Sequence, residues 1–351
     1  MSAKVKLLCP RPSTEPGSMA AHAAMVEEAL ALAGVRTVER IPFYHPKGGT
    51  VWRHHAWRAV HAERLFASAG PDDRIHMLDG SLAGFIPKSW RGRTWITLHD
   101  FIPVLQGRGE VAGPVPSWPA RWILQRMLDA VRDAGGVCAI SGQTACDAER
   151  LTGRAEVEVI PLPVRPVLVD YARRELLPPD VPRPYLLHIG HNAAYKNRNG
   201  AIEIFSRLRA ESSLHLVMAG PPPDERTRSR ADEVGNVLFI SGAGDEQLAR
   251  LYQHAELLLF PSLYEGLGLP VIEAFALGCP VVCSHGGALA EVAGGAALTA
   301  SVDDVEGMAG HCRRLLGDRD ARVELVERGR ARVAGYGLLE FGRKLRGWYR
   351  L

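Results

Sequence analysis

Residues 257–283 read LLLFPSLYEGLGLPVIEAFALGCPVVC. The four apolar residues 257–260 make a run of the length expected for a strand covered on both faces of a parallel sheet. Pro261 and Ser262 end it. Pro270 suits the first turn of a helix, because its fixed φ is already helical and the N–H it lacks has no partner there. A helix over 270–277 follows, Gly278 closes it, and the next apolar run begins at Pro280. Strand, turn, helix and strand in immediate succession form the repeating unit of a doubly wound α/β fold.

Outward from this stretch the same alternation fills the chain. Buried strands are expected at 5–9, 37–42, 75–78, 95–98, 137–140 and 157–160, with helices such as 19–33 and 119–133 between them. A passage with seven prolines, 161–184, interrupts the pattern, which restarts at 185–189. It continues through 214–219, 237–240, 257–260, 280–283 and 296–299. Two α/β domains of ordinary size account for 351 residues. The expected division is a first domain over 1–168, a stiff linker over 169–184, a second domain over 185–335 and a closing helix over 336–351. In that last segment Leu338, Phe341, Leu345 and Trp348 recur at helical spacing.

With 46% hydrophobic and 23% charged residues the chain reads as globular, and no apolar run nears the roughly 20 residues a bilayer requires. The N-terminal run 5–9 leads into a Pro-rich turn without a small-residue cleavage site, so it reads as a strand and the protein as cytoplasmic. A net charge of +3 is too small for the basic stripe of a nucleic-acid binder. It leaves room for peripheral contact with the inner membrane face. Six cysteines form no CxxC pair, and Cys279 and Cys283 lack the further His or Cys of a tetrahedral set. Reduced thiols and no metal site are expected.

The turn 265–269 is where chemistry concentrates. Gly266 and Gly268 let the backbone approach a ligand closely, and the helix beginning after them directs free N–H groups and its dipole at the same place. That is a seat for an anion, best suited to a diphosphate. Glu273 lies about one turn inside the helix, where a Glu faces solvent or a bound ligand and can accept hydrogen bonds from a ribose diol. Two Glu eight apart carry little by themselves. The full string PSLYEGLGLPVIEAFALGCPVV, 261–282, resembles the donor-binding signature of glycosyltransferase family 4, retaining enzymes of the GT-B fold.

The resemblance implies two Rossmann-like doubly wound domains facing across a cleft, with a C-terminal helix packing back on the N-terminal domain. It implies that Glu265 contacts the transferred sugar and assists the reaction. The amides of Gly266, Leu267, Gly268 and Leu269 would hold phosphate, and Glu273 the ribose. In the loop 190–197, Gly190 follows a strand and Lys196 matches a family Lys that neutralises the leaving diphosphate. His191 stands where the family often has Arg, which leaves His191, Arg198 or a neutral loop donor as the second phosphate group. His99, at the end of strand 95–98, resembles a family His lining the cleft, with a strand-capping role as the rival. Asp100 either orients His99 or caps the next turn.

Ser141 is a helix cap or a ligand contact. Ser241, after strand 237–240, would offer backbone groups to the nucleotide base, and Gly17 matches one of a family glycine pair in the first loop. The sequence Pro161-Leu-Pro-Val164 replaces the family's Pro-Asn-Gly, so no role is carried over there. The helix 51–66, rich in Trp, Arg and His, meets an acceptor or a membrane, or packs inward through positions 52, 56, 60 and 65; the inward reading is favoured.

Together these readings describe a retaining hexosyltransferase of polysaccharide or glycoconjugate biosynthesis. Its co-substrate is a GDP-, UDP-, ADP- or TDP-linked sugar, with no other cofactor and an unidentified acceptor. The resemblance implies a reaction that needs no bound metal. The rivals are another GT-B enzyme, an inverting transferase or a phosphorylase, and a non-catalytic sugar-nucleotide-binding protein.

Overall fold

A computed structural model of the chain describes residues 4–10, 18–44, 50–208 and 213–351. The fold divides into two compact units, the first made of Met1–Glu110, Pro114–Pro163 and Leu338–Leu351, the second of Val111–Gly113 and Val164–Gly337.

The first unit runs β1 (Val5–Cys9), α1 (Ser18–Leu32), β2 (Val38–Pro42), α2 (Val51–Phe66), β3 (Arg74–Met77), β4 (Thr94–Leu98), α3 (Ile102–Gly107), α4 (Trp118–Asp133), β5 (Gly136–Ala139), α5 (Gly142–Thr152) and β6 (Glu158–Val159). Its six strands are parallel in the order β2-β1-β3-β4-β5-β6. The central strands are buried, whereas the edge strands β2 and β6 are largely exposed, which corrects the expectation of burial at 37–42 and 157–160. An edge strand has a neighbour on one side only, and helices cover it incompletely.

The second unit runs α6 (Pro166–Ala172), β7 (Tyr185–Ile189), α7 (Arg198–Ser206), β8 (His215–Ala219), α8 (Glu225–Val234), β9 (Val237–Ile240), α9 (Asp245–His254), β10 (Leu257–Phe260), α10 (Leu269–Ala276), β11 (Val281–Ser284), α11 (Leu289–Ala293), β12 (Leu298–Ala300), α12 (Val305–Gly317) and α13 (Arg319–Val333). The strands are parallel in the order β12-β11-β10-β7-β8-β9. Of the linker expected at 169–184, the first four residues close α6, which belongs to the second unit.

The closing helix α14 (Leu338–Trp348) packs on the first unit. Gly342 lets it touch α1 backbone to backbone: a Cβ there would sit 2.0 Å from the Ala29 carbonyl oxygen. Just beyond the helix, the Tyr349 hydroxyl lies 2.6 Å from His76 Nδ1, and His76 Nε2 lies 2.7 Å from Thr97 Oγ1. His76 is buried in the sheet, and burial first, then His99, pushes its imidazole down to about 3. It is therefore a neutral hydrogen-bonding post for the chain's last residues.

The inward face of α2 is not the expected one. Trp52, Ala56 and Val60 are exposed, and Arg58, Ala62 and Phe66 are buried. Arg58 is tolerated inside because Nε donates to Phe43 O at 2.7 Å and Nη2 to Pro10 O at 3.0 Å, with the guanidinium 5.6 Å from the Phe43 ring centroid. Paired this way, an arginine supplies the core with its long aliphatic stem. Among the described residues no helix is long and apolar enough to cross a membrane.

Candidate functional site

In the second unit the chain leaves β7 toward β8 on one side, and β10 lies on the other. The order reverses between β7 and β10, and in open α/β sheets the crevice beyond the strands' C-terminal ends at such a point is the place where ligands bind. Two loops meet there. The loop after β7 supplies Gly190 and Lys196; the loop after β10 supplies 261–268. They are stitched together by Leu263 N donating to Tyr195 O at 2.7 Å and Asn197 Nδ2 donating to Pro261 O at 3.0 Å.

Across this seam Lys196 Nζ donates to both carboxylate oxygens of Glu265, each at 2.8 Å. Both side chains are largely buried, and the ammonium lies 5.4 Å from the Phe260 ring centroid. The two residues thus meet as one ion pair. Gly268 has φ +90° and caps α10 without a side-chain hydrogen bond; a Cβ there would lie 2.6 Å from Leu289. Pro270 follows in the first turn, as expected. Gly266, Leu267 and Gly268 are buried and Leu269 half-buried, so the turn is packed into the unit.

Glu273, expected to face solvent or a bound ligand, does not face solvent. It is buried: Oε1 accepts from Arg165 Nε at 2.9 Å and Oε2 from the Tyr252 hydroxyl at 3.0 Å. Burial raises its carboxyl above the usual range, opposed by Arg165 and Tyr252, while Asp245 adds to the rise. Arg165 also donates to Asp245 in the first turn of α9. It thereby ties the end of the β9 loop, where Ser241 lies exposed, to the expected ribose acceptor. No signal in the sequence marked Arg165. It sits in the loop from which no role was carried over, and its partners are 80 and 108 residues away.

His191 and Arg198, the residues expected to supply the second phosphate group, both make contacts within the second unit. His191 is held by Ala193 N and the Tyr195 hydroxyl, and burial first, then Lys196 and Arg198, lowers its pKa, so it is neutral. Arg198 is buried, donates to Asn192 Oδ1 and Pro221 O, and stacks on Phe239, while Nε and Nη2 have no partner.

In the first unit His99 leaves β4 and its Nε2 lies 2.9 Å from Leu78 O at the end of β3. Its ring meets His22 of α1 edge-on at 5.0 Å. Both ring nitrogens of His22 are buried without a hydrogen-bond partner. Burial first, then His99 and His76, keeps that imidazole neutral. Asp100 Oδ1 accepts from Ile102 N, the turn-capping alternative, and Ser141 caps α5 by accepting from Thr144 N at 3.1 Å. Gly17 lies outside the described residues. A cavity of about 620 Å³ in this unit, lined by Arg74, Trp95 and Arg154, opens where β4 and β5 begin, at the sheet edge opposite His99.

Residues 172–332 match the family Glycosyl transferases group 1. The matched residues include Lys196, Glu265 and Glu273. The O-antigen chain mannosyltransferase B of Escherichia coli is 34% identical over 156 residues, 42% of this chain and 41% of that protein. The MMP alpha-(1->4)-mannosyltransferase of Mycolicibacterium hassiacum is 38% identical over 119 residues, 33% of this chain and 26% of that protein. The matched part is thus less than half of either curated relative. Sucrose-phosphate synthase from Thermosynechococcus elongatus superposes with a TM-score of 0.79 at 20% identity, covering 99% of this chain and 98% of that one. That likeness concerns the fold: two parallel six-stranded sheets flanked by helices, as the GT-B resemblance implied.

Proposed function

We propose that this chain is a retaining glycosyltransferase. It moves a sugar from a nucleotide diphosphate to an acceptor hydroxyl in the building of a cell-surface polysaccharide or glycoconjugate. The observation that carries this reading is the Lys196–Glu265 pair at the switch point of the group 1 domain, beside the start of α10. There the ammonium neutralises the leaving diphosphate, the turn 266–269 and the helix start add N–H donors and a positive dipole end, and Glu265 faces the transferred sugar. Glu273 accepts from the ribose with the oxygen lone pairs that Arg165 and Tyr252 leave open. His99 serves as a catalytic-site residue of the first unit. Gly17, Gly190 and Ser241 complete the donor-side assignment.

The two relatives described above, both mannosyltransferases, favour a mannosyl residue as the sugar. No cofactor beyond the sugar nucleotide belongs to this reading, which places the protein at the cytoplasmic face of the membrane and in peripheral contact with it. The test is incubation with GDP-, UDP-, ADP- and TDP-linked sugars and a broad acceptor set, reading free nucleotide. Release from one of the four supports the proposal, with retention of anomeric configuration checked by NMR of the product. Tight binding without release from any would make the chain a sugar-nucleotide binder.

A further inference from the structure

Five of the large apolar side chains most exposed in the first unit are Trp52 (61%), Val60 (76%), Val115 (60%), Trp118 (80%) and Trp122 (57%). They come from α2 and from α4 with the residues just before it, and the 3-10 turn Gly80–Phe85 lies between the two helices. On one side of that turn the His55 ring is 4.9 Å from Phe85 and 6.0 Å from Trp52. On the other, Arg126 Nε donates to Gly84 O at 3.0 Å and its guanidinium lies 4.9 Å from the Trp122 centroid. Gly84 and Phe85 are neighbours in the chain, so the tryptophans of the two helices flank one strip of surface.

The charge of the strip has one sign. Residues 50–62 and 114–128 contain no Asp or Glu, whereas Arg53, Arg121 and Arg126 stand among the tryptophans. The chain as a whole is nearly balanced, 42 basic against 39 acidic residues, so the bias is local. A tryptophan exposed by more than half loses the hydrophobic benefit of its ring in water, yet its indole N–H suits a boundary that is apolar on one side and wet on the other. Arginines without competing carboxylates add attraction to anionic headgroups.

We propose that α2 and the N-terminal half of α4 form a docking surface for an anionic lipid bilayer, with the tryptophans entering the headgroup region and Arg53 and Arg121 pairing with lipid phosphates. The inference rests on the peripheral contact in the functional reading above and gives it a place, but its test involves no sugar. The full chain is floated with vesicles of phosphatidylcholine alone or mixed with phosphatidylglycerol.

Binding to the mixed vesicles and not to phosphatidylcholine alone, weakened by added salt, is the expected result. The double variant Trp118→Ser, Trp122→Ser should lose about tenfold or more in partitioning. Arg53→Gln and Arg121→Gln should each lose about fivefold. Because all four side chains are exposed, the variants should melt as the parent does, which separates lost docking from lost folding. The proposal falls if the chain ignores anionic vesicles or if the variants partition like the parent. It falls equally if light scattering shows a dimer that Trp118→Ser disperses, since the strip would then serve a second copy of the chain. Failed flotation with nucleotide release intact removes only this surface; flotation without release removes only the transferase.

Discussion

The two units share an architecture, six parallel strands wrapped by helices, but they hold their polar residues at the sheet edge in opposite ways. In the second unit that edge carries charge: Lys196 against Glu265, and Arg165 against Glu273 and Asp245. In the first it carries two imidazoles in edge-on contact, His22 and His99, the former kept neutral by burial. The strand orders differ too, with the reversal between β7 and β10 in the second unit and between β1 and β3 in the first. A site that receives a diphosphate needs cations, a close backbone and a helix start, and each demand restricts residue type. A surface that receives hydroxyls or lipid imposes no such string, which is why the proposed donor site carries a signature and the first unit only periodicity.

The contrast breaks most easily at the ion pair. Glu265→Ala should lower turnover about 100-fold or more with little change in nucleotide affinity, measured as nucleotide release. An unchanged rate would remove Glu265 from the active site. Lys196→Met alone should also cost about 3 kcal/mol in denaturant unfolding, because it leaves a buried carboxylate unpaired; adding Glu265→Leu should restore most of that.

Arg165→Met probes the next layer. Burial already raises the Glu273 carboxyl, and loss of Arg165 raises it further. A carboxyl raised on folding destabilises the fold where it is ionised. The variant's deficit in melting temperature should therefore be largest at pH above the raised value and shrink as pH falls through it. Nucleotide affinity, which needs the ionised acceptor, should fall over that same range. A parallel pH profile in parent and variant would leave Arg165 no part in positioning Glu273.

In the first unit Tyr349→Phe deprives His76 Nδ1 of its partner and should cost about 1 to 2 kcal/mol by thermal unfolding, with faster proteolysis of α14. The smallest effect is expected at Trp52→Ser, within about 0.5 kcal/mol of the parent because the side chain is exposed. Phe66→Ala, on the buried face of the same helix, should cost about 3 kcal/mol or more. Equal losses at the two positions would reverse the assigned face of α2.

Strand positions were legible throughout: β1, β7, β9 and β10 lie at the residues expected, and the other expected strands shift by one or two residues at their ends. The helix expected at 270–277 is Leu269–Ala276. Such elements announce themselves because backbone pairing and helix starts are local, and Gly268 and Pro270 act within a few residues. The orientation of α2 was not legible. With Trp, Arg and His on every side of the helix, hydrophobicity alone pointed to Trp52 and Val60, whereas carbonyl oxygens of Phe43 and Pro10 make Arg58 the inward residue.

The sequence by itself determined the alternation of strands and helices, the two-domain plan and the succession of strand, glycine turn and proline-started helix over 257–276. Each follows from interactions among neighbours in the chain. Tertiary structure alone decided that Lys196 spends its charge on Glu265, that Arg165 and Tyr252 enclose Glu273, and that Tyr349 reaches back to His76 across 273 residues. The reason is physical: a buried charge or polar group must find a partner, and which partner is in reach depends on the strand order that brings distant loops to one edge.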